Sequence, residues 1–358
     1  METTTRCIVL TGGGTAGHVM PNLALVEGLQ QAGFAVEYIG SVGGMEEGLV
    51  KDAGLPYTAI RSGKLRRYFS WQNLTDVFRV LGGYIDAKRA LKKLRPALVF
   101  SKGGFVTVPV VYAAKRLGIP VVLHESDYSP GLANRLGIRV ASKVLVNFED
   151  TLAHTQSKGV CTGAPIRKEL LGGDAQKGRA FLGFDGKKPI LLVMGGSSGA
   201  QAVNQAVTAA LPALLADFDV AHQTGSGKLE GGGGQPGYRP LEFIRGELPD
   251  VLAAADIVLS RAGANAVFEF LAHRLPALYI PLPLSASRGD QIQNAAYMKA
   301  RGYAEVLDQE ALKDPNSLPE ALRQLYARRT DYIEKMQQAP EADGTHRVLN
   351  EILNTLSN

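Results

Sequence analysis

Two doubly wound α/β domains, each built on a parallel sheet, are what this sequence predicts, and three observations carry that expectation. The chain has 358 residues, more than one small domain needs. Two short apolar runs, Cys7-Ile-Val-Leu10 and Ile190-Leu-Leu-Val-Met194, each lead into a glycine-rich turn and then a helical pattern. Further apolar runs alternate with helical stretches in both halves, as strands buried on both faces and joined by crossover helices do.

In the first half the run at 7–10 passes into Thr11-Gly-Gly-Gly-Thr-Ala-Gly17, with a helix expected from Pro21. More strands are expected at 36–39, 98–100, 121–123 and 144–146. In the second half the run at 190–194 passes into Gly195-Gly-Ser-Ser-Gly-Ala200, with a helix from Gln201 and strands at 220–223, 257–259, 277–280 and 304–307. A boundary near 163–168 gives an N-terminal domain over 1–164 and a C-terminal domain over 165–340. The last segment, 341–358, carries a helix at about 345–356 that is expected to cross back to the first domain. The tract 231–234 reads as a glycine-rich surface loop. Such domains bind ligands at the carboxyl ends of their strands, so a pair of them facing a deep cleft suits group transfer.

Composition narrows the function. Cys7 and Cys161 stand far apart without a CxxC partner, which excludes a disulfide framework and a zinc site. The start of the chain has no apolar secretion segment, and no apolar run is long enough to span a bilayer. The net charge of +5 is unevenly spread: residues 1–165 hold 19 Lys and Arg against 12 Asp and Glu, and residues 166–358 hold 20 against 22. Eleven basic residues lie between Arg61 and Lys102, facing only Asp76 and Asp86. Tyr68, Phe69, Trp71, Phe78, Leu81 and Tyr84 are interleaved with them. A nucleic-acid surface, an anionic-lipid surface and a solvated face over aromatic core are all consistent with that stretch.

The first loop satisfies G-x-G-x-x-G at Gly12, Gly14 and Gly17, and Glu37 lies where a dehydrogenase keeps its ribose-binding acid. Against an NAD-dependent oxidoreductase stand His18 at the end of the loop, a second glycine loop opening the other half, and the lack of a hydride-transfer constellation. Gly225-Ser-Gly-Lys228 is no Walker motif, because Leu229 follows the lysine and His222 holds the place of the leading glycine. Asp217-Phe-Asp219 spells a metal-holding D-x-D but sits at the amino end of a strand, away from the ligand edge, and reads as structural. The segment from Arg261 to Glu269 is the most informative. Its small residues bring a helix amino terminus to the sheet edge, where free N–H groups favour a diphosphate, and Glu269 is placed to accept from ribose hydroxyls. Gln291 and Asn294, on one helix face, are candidates for reading sugar hydroxyls.

These segments, in order, resemble the MurG family of N-acetylglucosamine transferases. The residues that carry the resemblance are Gly13-Gly-Thr-Ala-Gly-His18, Ser101-Lys-Gly-Gly-Phe105, His124-Glu-Ser126, Gly163-Ala-Pro-Ile-Arg167, Gly195-Gly-Ser-Ser-Gly-Ala200, Arg261–Glu269 and Gly289-Asp-Gln291. They run from Leu10 to about Leu307, and Ser62-Gly-Lys-Leu-Arg-Arg-Tyr68 with His124-Glu-Ser-Asp127 is similar to the Firmicutes version. The resemblance implies a GT-B fold and inverting transfer from UDP-N-acetylglucosamine to lipid I, undecaprenyl-pyrophosphoryl-MurNAc-pentapeptide, giving lipid II for peptidoglycan. It implies no metal and no cofactor, no nucleic acid, and a peripheral place at the cytoplasmic face of the cell membrane. Contacts with other cell-wall synthesis proteins fit the same picture.

For the site, the resemblance implies that Thr15, Ala16 and Gly17 face the sugar and diphosphate, and that Asp127, where relatives often carry Asn, contacts the donor sugar. Arg167 and Ser197 would bind the phosphates, Ile244 would bond uracil through its backbone, and Gln291 would read N-acetylglucosamine. The turn of Gly263, Ala264, Asn265, Ala266, Val267 and Phe268 would cradle the diphosphate, with Glu269 on the ribose. Ala16, Ala164 and Ser198 depart from the frequent Gly, Asn and Gln. His18 is the first choice for the base that takes the acceptor proton, and His124 with Glu125 is the rival. Lys64, Leu65, Arg66, Arg67, Tyr68, Phe69 and Trp71 are the expected membrane contacts. A glycolipid synthase, a UDP-N-acetylglucosamine epimerase and a nucleotide-sugar binding module are the competing readings.

Overall fold

The computed structural model describes residues 6–63, 72–195, 200–228, 235–287 and 289–357, and the chain divides into two units, 1–167 with 343–358 and 168–342. The first unit opens with β1 (Cys7–Thr11), α1 (Ala16–Leu23), α2 (Val26–Gln31), β2 (Ala35–Ser41), α3 (Met45–Asp52) and β3 (Tyr57–Ile60). It continues through α4 (Gln72–Leu94), β4 (Leu98–Ser101), α5 (Thr107–Arg116), β5 (Val121–Glu125), α6 (Leu132–Ile138), β6 (Lys143–Val146) and β7 (Gly159–Cys161). The second unit holds α7 (Lys168–Leu171), α8 (Ala175–Leu182), β8 (Ile190–Met194), α9 (Gln201–Asp217), β9 (Asp219–Gln223) and β10 (Tyr238–Leu241). There follow α10 (Leu248–Ala254), β11 (Ile257–Ser260), α11 (Ala264–Ala272), β12 (Ala277–Tyr279), α12 (Asp290–Ala300), β13 (Ala304–Val306), α13 (Ser317–Ala327) and α14 (Arg329–Gln337). The last helix, α15 (Gly344–Ser357), belongs to the first unit.

Both sheets are parallel throughout. The first has seven strands in the order β3-β2-β1-β4-β5-β6-β7, and the second six in the order β10-β9-β8-β11-β12-β13. In each, the chain winds outward from the first strand and then returns to its other side. The order therefore reverses between β1 and β4 and between β8 and β11, where doubly wound sheets leave a ligand crevice at the carboxyl edge. Both glycine-rich turns open at those points. The two-sheet fold class expected from the alternating runs is the one observed.

Alternation along β1 explains how one strand serves two cores. Ile8 and Leu10 face a cluster with Val19, Leu29, Val348 and Ile352, while Val9 joins Val99, Val110, Val121 and Leu123 on the other side of the sheet. Both faces of the strand are fully buried as a result, with Ile8, Val9 and Leu10 at 0% exposure. The α15 helix closes the first of these cores. Val348 and Ile352 are at 0% exposure, Lys143 pairs with Glu351 at 2.6 Å, and Thr345 exchanges hydrogen bonds with the backbone of Ile166 at 2.7 and 2.8 Å.

Two local expectations are corrected. The first helix starts at Ala16, not Pro21: Thr15 is extended, the His18 amide already donates to its carbonyl at 3.1 Å, and Pro21 lies inside the helix. Strands β3, β7 and β10 went unforeseen, and all three are sheet edges. The D-x-D pair behaves as structure. Asp219 is buried at the start of β9, and Asp217 pairs with Arg323 at 2.7 Å.

Candidate active site

In the first unit the loops after β1, β4 and β5 meet at the carboxyl edge. Gly12 shows how closely they approach: a Cβ there would lie 2.5 Å from the His18 carbonyl oxygen and 3.3 Å from the Lys102 Cβ. Glu46, fully buried on α3, braces the same loop from below. Its carboxylate accepts from the Gly14 amide at 3.2 Å and the Ser41 amide at 2.9 Å. Thr15 and Ala16 are exposed and Gly17 is half-exposed, so this turn presents its outer surface to solvent.

His18 projects from the first turn of α1. Its Nδ1 lies 3.0 Å from the Gly13 carbonyl, which can only accept, so Nδ1 carries the proton and the lone pair sits on Nε2. Thr15 Oγ1 supports the same nitrogen at 3.1 Å. Nε2 has no hydrogen-bond partner among the described residues. Burial, then the Lys102 cation, lower the pKa of His18, against smaller opposing effects of the Gly13 carbonyl and Glu46. A neutral imidazole with an open Nε2 is what a general base requires.

The rival base is otherwise occupied. His124 is fully buried; its Nε2 donates to the Gly163 carbonyl at 3.0 Å and its Nδ1 accepts from Lys102 Nζ at 2.7 Å. Burial, then Lys102, push its pKa well below the usual imidazole range. Glu125, 4% exposed, accepts from the Asp127 amide at 2.9 Å, the Gly131 amide at 3.2 Å and Asn134 Nδ2 at 2.9 Å. Burial, then Asp127, raise its pKa. His124 and Glu125 thus shape the loop that carries half-exposed Asp127; both ring nitrogens of His124 are committed, while Glu125 Oε1 accepts a single hydrogen bond and keeps a lone pair. Lys102 and Glu46, which organise this edge, were assigned no role from the sequence. Lys102 lay within a quoted motif, and nothing marked Glu46 among its neighbours.

In the second unit the carboxyl edge is built around α11. Gly263 is extended and precedes the helix, leaving the amides of Ala264, Asn265 and Ala266 in the first turn, while the Val267 amide already donates to the Gly263 carbonyl at 3.1 Å. Val267 and Phe268 are at 0% exposure, so their side chains are core, and a ligand would meet the half-exposed residues before them. Glu269 is half-exposed. Arg261 is structural: it donates to the carbonyls of Ile280 at 2.8 Å and Pro281 at 3.2 Å and to Gln309 at 2.7 Å. Asn294 is likewise drawn inward, donating to the Ala262 carbonyl at 3.0 Å, which corrects its expected role on the sugar. Gln291 stays half-exposed, with its Oε1 accepting from the Leu282 amide at 3.1 Å, so its NH2 group is left to donate.

Ile244 is buried, and its amide donates to Gln223 Oε1 at 3.0 Å. Its carbonyl accepts no hydrogen bond from the described residues, which leaves its lone pairs open to an N–H donor. Arg167 is half-exposed at the end of the first unit and forms no ion pair among the described residues. Ser197 lies outside the described residues, as do Lys64, Leu65, Arg66, Arg67, Tyr68, Phe69 and Trp71. No group of His, Cys, Asp and Glu among the described residues is arranged to hold a metal ion.

Known proteins share this organisation. Residues 8–146 match the glycosyltransferase family 28 N-terminal domain, and residues 190–349 match the family 28 C-terminal domain. A UDP-N-acetylglucosamine–N-acetylmuramyl-(pentapeptide) pyrophosphoryl-undecaprenol N-acetylglucosamine transferase of Lachnospira eligens is 51% identical over 96% of this chain and 97% of its own. The protein of the same name from Geobacillus thermodenitrificans is 48% identical over 97% of this chain and 98% of its own. The crystal structure of Acinetobacter baumannii MurG has a TM-score of 0.75 at 28% identity, covering 98% of this chain and 99% of that one. A UDP-GlcNAc 2-epimerase from Neisseria meningitidis, with a TM-score of 0.69 over 98% of this chain and 100% of that one, is only 12% identical, and its likeness shows the fold alone. The chain belongs to glycosyltransferase family 28, and within it to the MurG transferases.

Proposed function

We propose that the chain is an inverting transferase that moves N-acetylglucosamine from UDP-N-acetylglucosamine to the C4 hydroxyl of undecaprenyl-pyrophosphoryl-MurNAc-pentapeptide, converting lipid I to lipid II in peptidoglycan synthesis. The observation that carries this reading is the identity of 51% across 96% of the chain to a relative named for that transfer. The acceptor oxygen bonds to the anomeric carbon as the bond from that carbon to UDP breaks. The hydroxyl proton passes to His18 Nε2, and the electron pair leaves with UDP. Amides at the start of α11, with Arg167 and Ser197, meet the charge on the departing diphosphate. The Ile244 carbonyl accepts from uracil, Glu269 from the ribose hydroxyls, and Gln291 donates to the sugar. Thr15, Ala16, Gly17 and Asp127 complete the sugar's surroundings.

A lipid-borne acceptor requires the enzyme to visit a membrane, and the cytoplasmic face is where the nucleotide sugar is available. Among the described residues no helix is long and apolar enough to cross one. Support for peripheral docking comes from an apolar groove of about 670 Å³ between α4 and α5, lined by Leu81, Tyr84, Val108, Pro109 and Tyr112 and edged by Lys115 and Arg116.

Incubation with UDP-N-acetylglucosamine and a lipid I analogue should yield a product heavier by one N-acetylhexosamine, read by mass spectrometry. His18→Ala should cut turnover on the order of 100-fold or more while donor binding persists. Interconversion of the free nucleotide sugar without acceptor would overturn the transferase reading, and near-normal turnover of the variant would remove His18 as the base.

A further inference from the structure

Lys102 is fully buried, yet it lies at the meeting point of the loops that form the first unit's edge. Its amide donates to the Thr11 carbonyl at 2.9 Å, joining the end of β4 to the end of β1. Its side chain turns the other way, to β5: Nζ bonds His124 Nδ1 at 2.7 Å and Ser126 Oγ. The following residue continues the tie, since the Gly13 amide donates to the Gly103 carbonyl at 3.3 Å. His124 cannot relieve Lys102 by turning over, because Nε2 is committed to the Gly163 carbonyl at 3.0 Å. Burying an amine this completely is costly unless its partners and field compensate. Burial lowers the pKa of Lys102 to about 8, and Glu125, then Asp127, favour the charged form against that desolvation.

We propose that Lys102 is the positioning residue of this site: its buried ammonium ties the loops after β1, β4 and β5 together and sets the electrostatic field in which His18 accepts a proton. The charged and titratable groups around this pair are Glu46 on α3 and Lys102 itself, which act on His18, and His124, Glu125 and Asp127 on the β5 side, which face Lys102. A cation under the β1 loop disfavours imidazolium, so the imidazole stays ready to take a proton at a lower pH than it otherwise would. This inference rests on the transferase reading only for the meaning of that proton; the tie and the field belong to the protein alone.

The test separates the two. Ring titration of His18 is followed by NMR in histidine-labelled wild type, Lys102→Met and Lys102→Gln, with His18→Gln to assign the signal. Glutamine retains a donor for His124 without the charge, and it carries the experiment if the methionine variant does not fold. In both variants His18 should titrate about one pH unit higher than in wild type, and the acid limb of kcat/KM should move up with it. Loss of turnover by the same factor at every pH, with His18 titrating as in wild type, would overturn the proposal. Because the NMR titration needs no acceptor, an upward movement in a protein that transfers no sugar would sink the transferase reading and leave the role of Lys102 standing.

Discussion

Asn204 donates Nδ2–H to the Thr224 carbonyl at 2.9 Å, and that bond orients a chain of three side chains in the second unit. With its NH2 group committed, Asn204 must present Oδ1 to His222 Nε2 at 3.1 Å, so Nε2 carries the proton and Nδ1 accepts from the Tyr238 hydroxyl at 3.1 Å. The neutral ring satisfies all three groups, and burial lowers the pKa of His222 to about 4. The unfolded chain takes up a proton near pH 6.5, about the ordinary histidine value, while folded His222 resists until near 4. The unfolded state thus binds more protons in that window, and the stability is complete above it and lost as pH falls through it. His18, His124 and His273 are lowered by burial in the same sense. Melting temperature should therefore drop between pH 7 and pH 5, and His222→Gln should be less stable at pH 7 with a shallower slope; parallel slopes would contradict the argument. None of this was legible in the sequence, where His222 only filled a place in a failed Walker motif. His18 was legible because it follows a glycine loop, whereas the burial of Lys102 depends on partners 22 and 24 residues away.

At the scale of elements, the strands the sequence revealed are, apart from the edge strand β13, those in the sheet interiors, where burial on both faces makes continuous apolar runs obligatory. The missed β3, β7 and β10 are edges and pair on one side only. An edge strand tolerates exposed Arg239 and the missing donor of Pro240, so its residues carry a weaker pattern. The loops at the carboxyl edge obey a stricter rule. Gly104 has φ +91°, and a Cβ on it would lie 2.3 Å from the Gly13 carbonyl, so this glycine lets the β4 loop lie against the β1 loop. Gly104→Ala should destabilise the protein by roughly 1–3 kcal/mol from backbone strain. It should also displace the Gly13 carbonyl that orients His18, so turnover falls by more than the folded fraction does. Urea unfolding beside activity at matched folded protein checks this, and an unchanged midpoint would show that the two loops yield without cost.

For the whole molecule, fold class was legible because two halves repeat one pattern, and charge was legible because it is a sum over residues. What the charge does depends on where apolar surface lies beside it. The basic excess between Arg61 and Lys102 leads into α4, on which Leu81 is 56% and Ile85 46% exposed. Tyr84 lines the groove below them, and Lys115 and Arg116 on α5 edge it. On the peripheral-docking reading proposed above, such a face would pair with an anionic bilayer through two separable contributions: lysines and arginines through the surface potential, and apolar side chains through burial in the headgroup boundary. The electrostatic part is screened within about 8 Å at physiological salt, while the apolar part is not. Vesicles containing anionic lipid should therefore bind the protein strongly in low salt and more weakly as salt rises. Lys115→Glu with Arg116→Glu should reduce binding mainly in low salt. Leu81→Glu should reduce it at every salt concentration, because it removes buried area and adds a repelled charge. Vesicle co-sedimentation across a salt series distinguishes these, and equal binding of all variants to anionic and neutral vesicles would leave the groove without a role at the membrane.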